Sequence, residues 1–205
     1  MKEETVPEYY ETIAQASTAE FRDRGSKFIA YAYPIESIDE FKKLLQALKK
    51  EHPKAVHHCF AYRIGTDGNV FRVSDDGEPS GTAGKPILGQ IDSKQVTNTL
   101  VVVVRYFGGT LLGVPGLINA YKTVTSLVLQ VTPIIRKPIE KKYLIEFDYT
   151  RINEVMTLLK QFSCTIISQE MQLFCRIVTG IPIGRLTEVL YRLQELPQVK
   201  VELAG

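Results

Sequence analysis

The order of strand and helix patterns in the C-terminal part of the chain constrains its fold more than any other feature of the sequence. Alternating polar and apolar residues predict strands, and apolar residues at helical spacing predict helices. In chain order the patterns give strand, helix, strand, strand, helix, strand. They cover Tyr143–Tyr149, a helix capped by Thr150, Cys164–Ser168, Met171–Thr179, a helix near Pro182, and Val199–Leu203. This order is typical of a ferredoxin-like βαββαβ domain, which we place at residues 138–205.

The two middle strands of this domain predict where two cysteines lie. With a hairpin turn at 169–170, Cys164 lies opposite Cys175, on the face that carries Ile166, Leu173 and Ile177. Because that face is apolar, we expect both thiols to be buried and unreactive. The third cysteine is Cys59. An odd number of cysteines without a Cys-x-x-Cys motif indicates neither a disulfide framework nor a zinc finger.

Residues 1–137 mix strand and helix signals and are predicted to form a separate α+β domain. Ser37 and Glu40 form a capping box before an amphipathic helix. The largely apolar segment at 100–107 is typical of a strand in the centre of a sheet, and Pro115 marks the start of a long helix. Prolines at both ends of residues 132–138 favour a linker. The remaining predicted strands are Thr12–Ala19, Lys27–Tyr33, Val56–Ile64 and Val70–Val73.

Composition excludes several classes of protein. The chain is 44% hydrophobic and 23% charged, as globular domains are. Its longest apolar run, Leu100–Val104, is far shorter than the roughly 20 residues that a membrane-spanning helix needs. The acidic N-terminus does not resemble a secretory signal, so we expect a cytoplasmic protein without membrane contact. A net charge of +2 does not favour binding to nucleic acid through overall charge, although a local basic patch stays open.

The first candidate site is the segment Asp75–Pro86, in which three carboxylates precede a glycine-rich turn. Paired carboxylates such as Asp75, Asp76 and Glu78 can divide acid and base roles or hold a metal. The segment is not a Walker loop, because prolines stand where that motif needs its first glycine and its Ser or Thr. The structural alternative is a turn that caps a helix beginning near Thr82.

The second candidate site is Arg105–Gly116, where a buried strand runs into a glycine loop and then a helix. Glycines let backbone N–H groups approach a phosphate, and a helix N-terminus favours an anion. The spacing matches no dinucleotide-binding motif. Arg105 is unusual at the end of an apolar strand, and it has Asp75, Asp76 and Glu78 as candidate partners.

Other residues give weaker signals. His57 and His58 are adjacent on a strand and point to opposite faces, so they cannot readily share a metal. No catalytic triad or nucleophile elbow is visible. Basic residues cluster at the predicted hairpin tip, and tyrosines occur nearby. A nucleic-acid surface and an ordinary solvated face are both open readings. The cations at this tip are Arg22, Arg24 and Lys27, those scattered elsewhere are Arg63, Arg72, Lys94 and Lys122, and the tyrosines are Tyr31, Tyr33, Tyr62 and Tyr106.

Several motifs, in this order, resemble the YigZ/IMPACT family over roughly residues 9–135. They are Arg24–Ala30, His57 with Ala61–Arg63, Asp75–Gly84, and Val104–Gly109 with Leu111–Gly113. The resemblance implies a ribosomal-protein-like N-terminal domain similar to the fourth domain of elongation factor G. It also implies a small C-terminal domain similar to that factor's fifth. The resemblance implies that the eukaryotic members of the family compete for the activator of an amino-acid-starvation kinase. The bacterial members have no settled activity.

From these observations we expect a non-enzymatic, translation-associated binding protein that contacts RNA, the ribosome or a ribosome-bound factor and has a regulatory role. The alternatives are a small-ligand enzyme, in which Asp75, Asp76, Glu78 and Arg105 line a cleft for a phosphate or nucleotide, and a pure protein-interaction module. No catalytic residue, metal or cofactor is predicted. The expected binding residues are His57, Asp75, Asp76, Glu78, Ser80, Lys85, Arg105, Tyr106, Gly108, Gly109 and Gly113, with Arg24, Lys27 and Arg63 for nucleic acid.

Overall fold

A computed structural model describes residues 7–204 and has a mixed architecture of sheets and five α-helices. Contacts divide it into two compact units. Residues 10–137 form the first unit, and residues 138–204, together with residues 7–9, form the second. We propose a domain boundary after residue 137. None of the described helices is long and apolar enough to cross a membrane.

The first unit is built on a five-stranded sheet. The order across the sheet is β2-β3-β6-β4-β5, and every neighbouring pair is antiparallel. As the apolar run predicted, β6 is the central strand. A separate two-stranded sheet joins β1 to β7. The strands are β1 (Tyr9–Ile13), β2 (Ser17–Asp23), β3 (Ser26–Pro34), β4 (His57–Ile64), β5 (Val70–Ser74), β6 (Thr99–Tyr106) and β7 (Ile134–Pro138).

Two sequence predictions for this unit are wrong for one reason. The predicted strand Thr12–Ala19 is divided between β1 and β2, and the predicted linker at 132–138 contains β7. Ala14 donates its backbone N–H to the Pro133 carbonyl at 2.8 Å, where the chain leaves the small sheet. The partner strands are far apart in sequence, so local patterning gives no sign of their pairing.

Helices cover both faces of the main sheet. α2 (Gly84–Ser93) and α3 (Gly113–Val131) pack on the face that carries Phe28, Cys59 and Val103. α1 (Ile38–Glu51) packs on the face that carries Phe60, Val102 and Val104. The predicted cap of α1 is present, since Ser37 Oγ accepts a hydrogen bond from the Glu40 N–H at 3.2 Å. Alternate residues of each strand therefore belong to different layers of the core.

The second unit has the predicted order of strands and helices. Its sheet has the order β11-β8-β10-β9, again with antiparallel neighbours. α4 and α5 bury Val155, Leu159, Val189 and Leu193 in a shared core with one face of this sheet. The elements are β8 (Glu140–Asp148), α4 (Ile152–Gln161), β9 (Thr165–Glu170), β10 (Phe174–Pro182), α5 (Leu186–Gln194) and β11 (Lys200–Leu203).

The predicted β9–β10 hairpin register is wrong. Glu170 pairs with Arg176, so the turn lies at 171–173 rather than at 169–170. Cys164 precedes β9 and does not oppose Cys175, and Leu173 is 74% exposed at the turn. Cys175 and Ile177 are buried as predicted, while burial and the nearby Glu140 raise the pKa of the half-buried Cys164 to about 11. The register also shifts at a bulge between Val178 and Thr179, which alternation alone cannot locate.

The start of α4 differs from the prediction, whereas the start of α5 near Pro182 agrees with it. Thr150 does not cap α4. Instead the Asp148 carboxylate accepts a hydrogen bond from the Thr150 N–H at 2.9 Å, and a 3-10 turn at Tyr149–Arg151 precedes the helix. Pro182 ends β10, and a second 3-10 turn at Ile183–Arg185 precedes α5. An aspartate one residue before the turn competes well with threonine as a cap.

Candidate functional site

Asp75 holds the loop between β5 and α2. Its carboxylate accepts backbone hydrogen bonds from Gly81 at 2.8 Å, Ala83 at 3.0 Å and Gly84 at 2.8 Å. Burial raises the pKa of Asp75, but these three N–H groups and Lys85 outweigh burial, so the pKa lies below its usual value. The structural alternative, a turn that caps a helix beginning near Thr82, is confirmed, because α2 begins at Gly84, and the Thr82 hydroxyl donates to the Pro79 carbonyl within this turn at 2.7 Å. Asp75 therefore caps α2 from a distance in sequence.

Asp76 fastens the same loop to β4. Its carboxylate accepts the His58 backbone N–H at 2.6 Å, and its backbone carbonyl lies 2.7 Å from His57 Nδ1. Lys49 Nζ lies 3.8 Å from the carboxylate. As predicted, the two histidines point to opposite faces. His58 is buried beneath α1, where burial lowers its pKa despite the Asp76 charge.

Glu78 is the acidic partner of Arg105. Arg105 Nη1 donates to Glu78 Oε1 at 2.6 Å, and the Tyr121 hydroxyl donates to the same oxygen at 2.8 Å. His57 Nε2 lies 3.8 Å from that oxygen. The Glu78 and Arg105 side chains are only 2% and 6% exposed. A buried carboxylate with two donors is held by its surroundings, and this pair does not line an open cleft.

Arg105 is enclosed on the remaining sides by aromatic rings. Its guanidinium carbon lies 5.4 Å from the centre of the Phe28 ring and 5.8 Å from that of Phe107. Its Nε is buried and has no hydrogen-bond partner within residues 7–204. The geometry accounts for a charged residue at the end of an apolar strand, because the charge is neutralised by Glu78 and covered by rings.

Tyr121 and Cys59 complete this cluster. Cys59 Sγ lies 2.9 Å from the Asp75 carbonyl and 3.3 Å from the Tyr121 hydroxyl. Burial raises the pKa of both groups, with Cys59 and Glu78 adding to the effect on Tyr121. Both therefore stay protonated at neutral pH, and Cys59 is a weak nucleophile. Within the described part of the chain, no three His, Cys, Asp or Glu side chains are arranged to hold a metal ion.

Tyr106 belongs to a different cluster on the α1 face of the sheet. Its hydroxyl lies 2.8 Å from His52 Nδ1, and the Tyr31 hydroxyl lies 2.7 Å from His52 Nε2. The Tyr31 and Tyr33 rings are nearly parallel, at an interplanar angle of 5°. All three tyrosines are partly exposed. Arg105 and Tyr106, which the sequence grouped in one site, therefore lie on opposite sides of the sheet.

The glycine loop between β6 and α3 depends on one close backbone contact. A Cβ on Gly108 would lie 1.9 Å from the carbonyl carbon of Gly25 in the β2–β3 turn. Only glycine fits there. Gly109 and Gly113 both have positive φ. The loop exposes apolar side chains, with Leu111 82% exposed and Phe107 and Val114 about half exposed.

The three cations predicted for nucleic acid do not form one surface. Lys27 lies on the α1 face, 2.8 Å from Glu20, and Arg24 lies in the adjoining turn. Arg63 lies on the opposite face, 2.5 Å from Asp92. Along β6 their cross-strand partners are Tyr106 and Thr99, which are roughly 24 Å apart at about 3.4 Å per residue. Lys85 and Ser80 are exposed near the start of α2.

Sequence patterns do not indicate the roles of Tyr121 and His52. Tyr121 occupies one of the apolar positions of α3, and its hydroxyl finds Glu78 only in the folded chain. His52 closes α1, where its sequence context indicates a helix end. A buried tyrosine hydroxyl needs a hydrogen-bond partner, and that need is the only available signal.

Comparison with known proteins identifies the family. Residues 24–129 match the Impact N-terminal domain. The chain is 33% identical over 182 residues to the IMPACT family member YigZ of Escherichia coli (strain K12), a match that covers 88% of this chain and 89% of that protein. The chain belongs to the IMPACT family.

Two further comparisons show how far this likeness to the IMPACT family extends. A crystal structure described as that of a hypothetical protein superposes with a TM-score of 0.76 at 30% identity, covering 98% of this chain and 99% of the other. Protein IMPACT of Rattus norvegicus is 36% identical over 113 residues, covering 54% of this chain and 36% of the rat protein. The likeness to the bacterial proteins spans nearly the whole chain, and the likeness to the rat protein spans about half of it.

Proposed function

We propose that this IMPACT family protein is a cytoplasmic, non-enzymatic binding protein that acts in translation. It contacts RNA, the ribosome or a ribosome-bound factor through its first unit. Membership of the family supports the link to translation, since the family resemblance implies a regulatory role there. The internal use of Asp75, Asp76, Glu78 and Arg105 supports binding over catalysis, because these groups are occupied in holding the loop and the sheet together.

The observation that carries the proposal is the tyrosine face of the first unit, formed by Tyr31, Tyr33 and Tyr106. Their rings are partly exposed, and His52 holds the Tyr31 and Tyr106 hydroxyls. Partly exposed rings that are held in place suit stacking of unpaired bases, which contributes about 1–3 kcal/mol per base. Single-stranded RNA is therefore the chemistry that this face fits best.

Cations lie beside this tyrosine face. Lys27 is the cross-strand neighbour of Tyr106, and Arg24 lies in the adjoining turn, where it forms no ion pair with any described residue. Lys27 shares Glu20 with Arg22, so one carboxylate faces two cations. Glu51 lies 3.7 Å from His52 Nε2 on the same face, so support for phosphate contact comes from Arg24 and Lys27 themselves rather than from a net positive charge.

The exposed apolar side chains of the glycine loop favour a second version of the proposed function, in which the partner is a protein rather than RNA. Leu111 is 82% exposed beside the half-exposed Phe107 and Val114, which is the kind of apolar surface that protein partners cover. A ribosome-bound factor would account for it. Binding that survives nuclease and high salt would indicate this protein contact, and binding abolished by either would indicate RNA.

The proposed RNA contact is tested by titrating a fluorescent single-stranded RNA at several salt concentrations. We expect the affinity to fall with a log–log slope of about −0.7 for each phosphate contact. Arg24→Ala with Lys27→Ala should reduce the slope by about 1.4 on the same basis. Arg63→Ala is the matched control on the opposite face and should leave the slope unchanged. Binding that does not depend on salt would contradict the proposal.

The fold assignments within each unit are also proposals. We assign the second unit to the ferredoxin-like class. The strand order β11-β8-β10-β9 supports this assignment, because it places the last strand beside the first and the third beside the second. We assign the first unit to the ribosomal-protein-like class, similar to the fourth domain of elongation factor G. The antiparallel five-stranded sheet with helices on both faces supports it.

A small-ligand enzyme is the second candidate, and one observation favours it. The buried Arg105 Nε is without a hydrogen-bond partner among the described residues, and a small anion could supply one. Native mass spectrometry of the purified protein with and without nucleotides and Mg²⁺ tests this candidate. A bound nucleotide or phosphate that Arg105→Lys releases would support the enzyme, and an unchanged apo mass would exclude those ligands.

A further inference from the structure

The sheet of the second unit has one face that neither α4 nor α5 covers. α4 and α5 pack on the face that carries Ile145, Cys175 and Ile177. Residues at alternate positions face the other way, and we call that side the open face. It carries two charged residues of β8 and β10, Glu146 and Arg176, which are 39% and 54% exposed.

A row of four charges crosses the open face, one on each strand. Strand pairing places Lys200 beside Glu146, Glu146 beside Arg176, and Arg176 beside Glu170. The signs therefore alternate from β11 to β9 as plus, minus, plus, minus. Arg176 Nε and Glu146 Oε1 lie 2.9 Å apart at the centre of this row.

Apolar residues lie on both sides of the charged row. Leu144 and Val178 are cross-strand neighbours in the next row, and both are partly exposed. On the other side Phe174 is the neighbour of Asp148 and is 72% exposed. A groove of about 630 Å³ adjoins them, and its lining includes Asp148, Phe174, Arg176, Gln198 and Lys200.

We infer that a second copy of this chain packs on the open face, with a two-fold axis running along the strands between β8 and β10. A two-fold axis in the plane of the contact reverses either the order of the strands or the direction along them. Reversing the order of the strands places Lys200 opposite the partner's Glu170, and Glu146 opposite the partner's Arg176. All four contacts then join opposite charges.

The other two-fold arrangement is unfavourable. An axis along the charged row would place each charge opposite its own copy, and like charges repel. The sign pattern of the row therefore selects one of the two symmetric packings. An unrelated partner would need a complementary row of its own, whereas a second copy already carries one.

The two-fold axis along the strands also brings apolar residues of the two copies into contact. It places Leu144 opposite the partner's Val178, so the two apolar positions cover each other. It also places the partner's Phe174 over Asp148, at the groove beside the first copy's own Phe174. A large exposed aromatic side chain that enters a groove is a common anchor of protein interfaces.

The size of the open face sets the expected affinity. Four strands about 4.8 Å apart and five residues of about 3.4 Å each give roughly 300–400 Å² per copy. This is less than the roughly 800 Å² per partner of a standard interface. We therefore expect a weak dimer with a Kd between about 1 µM and 1 mM, which forms as the protein concentration rises.

Sedimentation velocity over a range of protein concentrations tests the inference on the full chain. The wild-type protein should shift from monomer to dimer as its concentration rises. Arg176→Glu should weaken the dimer at least tenfold, because two pairs of like charges then face each other. Glu146→Arg should do the same. Arg185→Glu changes an exposed cation in the 3-10 turn before α5 and is the matched control, so it should leave the dimer unchanged.

Mixing the two charge variants is the decisive test of the proposed dimer. Glu146→Arg in one copy and Arg176→Glu in the other restore opposite charges at all four positions, so the mixture should form dimers although neither variant does so alone. Regained association also demonstrates that both variants are folded. A wild-type monomer at every concentration up to about 1 mM would overturn the inference. A dimer insensitive to Arg176→Glu, or a mixture that stays monomeric, would also overturn it.

Discussion

Arg105 and Glu78 form an ion pair of 2.6 Å in which both side chains are almost completely buried. The pair joins the central strand β6 to the loop that precedes α2. Tyr121 of α3 donates to the same carboxylate oxygen, so one acidic group connects three elements. Residues that resemble chemical machinery in the sequence therefore hold the first unit together.

Breaking this pair from one side should be costly. Arg105→Met leaves Glu78 buried without its counter-charge, and we expect a loss of about 3–5 kcal/mol in the free energy of unfolding. Denaturant unfolding measures it. Arg151→Met is the control, because the Arg151–Glu154 pair is exposed and should contribute less than about 1 kcal/mol. Adding Glu78→Gln to Arg105→Met should cost less than the sum of the two single changes. Equal losses for Arg105→Met and Arg151→Met would contradict this account.

The contact between Gly108 and Gly25 should tolerate no side chain. Gly108→Ala places a methyl group on the Gly25 backbone, and we expect destabilisation of more than about 3 kcal/mol because backbone atoms cannot move aside cheaply. Gly89→Ala is the control. A Cβ there meets nothing within 4 Å, and alanine in an exposed helix position should stabilise by up to about 1 kcal/mol. Similar melting temperatures for the two variants would show that the close contact is absent.

The Asp75 cap should give a stability difference that depends on pH. Asp75→Ala removes an acceptor of three backbone N–H groups, and we expect a loss of about 2 kcal/mol at pH 7. The folded pKa is depressed, so the contribution is present above the unfolded pKa of about 3.9 and is lost as the pH falls through the folded value. Unfolding curves of both proteins between pH 7 and pH 2 should therefore converge in acid. A constant difference would argue against an ionised cap.

Tyr31 should ionise at a higher pH than an ordinary tyrosine. Burial, followed by Glu51, Tyr33 and Tyr106, raises its pKa to about 12. The raised folded pKa stabilises the fold fully below the unfolded pKa of about 10, and this stability is lost as the pH rises from there through 12. The difference in ultraviolet absorption between wild type and Tyr31→Phe during an alkaline titration isolates this phenol. A transition near pH 10 would contradict the packing around His52.

Local patterning predicted the elements of the fold better than their pairing. The βαββαβ order of the second unit followed from periodicity, and so did the central position of β6. The β1–β7 pair and the bulge at Val178 did not, because pairing partners and bulges depend on contacts between distant segments. The error at 171–173 has the same origin. Ser168 pairs with Val178 rather than with Met171, and alternation within a strand does not indicate where the hairpin turns.

The candidate site was predicted only in part. The sequence named Glu78 among three partners for Arg105, and the structure selects it because Asp75 and Asp76 already bind backbone N–H groups. Tyr106 was grouped with Arg105 because they are adjacent, but adjacent strand residues face opposite layers. Arg63 and Lys27 were grouped by charge, and only the strand register separates them.

Co-sedimentation with ribosomes from a bacterial lysate tests the proposed function most directly. It is run at low and high salt with the wild-type protein, with Arg24→Ala plus Lys27→Ala, and with Arg63→Ala as the control on the opposite face. We predict that the wild type and the control pellet with ribosomes at low salt and that the double variant does not. Protein that stays at the top of the gradient at both salt concentrations would contradict the ribosome contact.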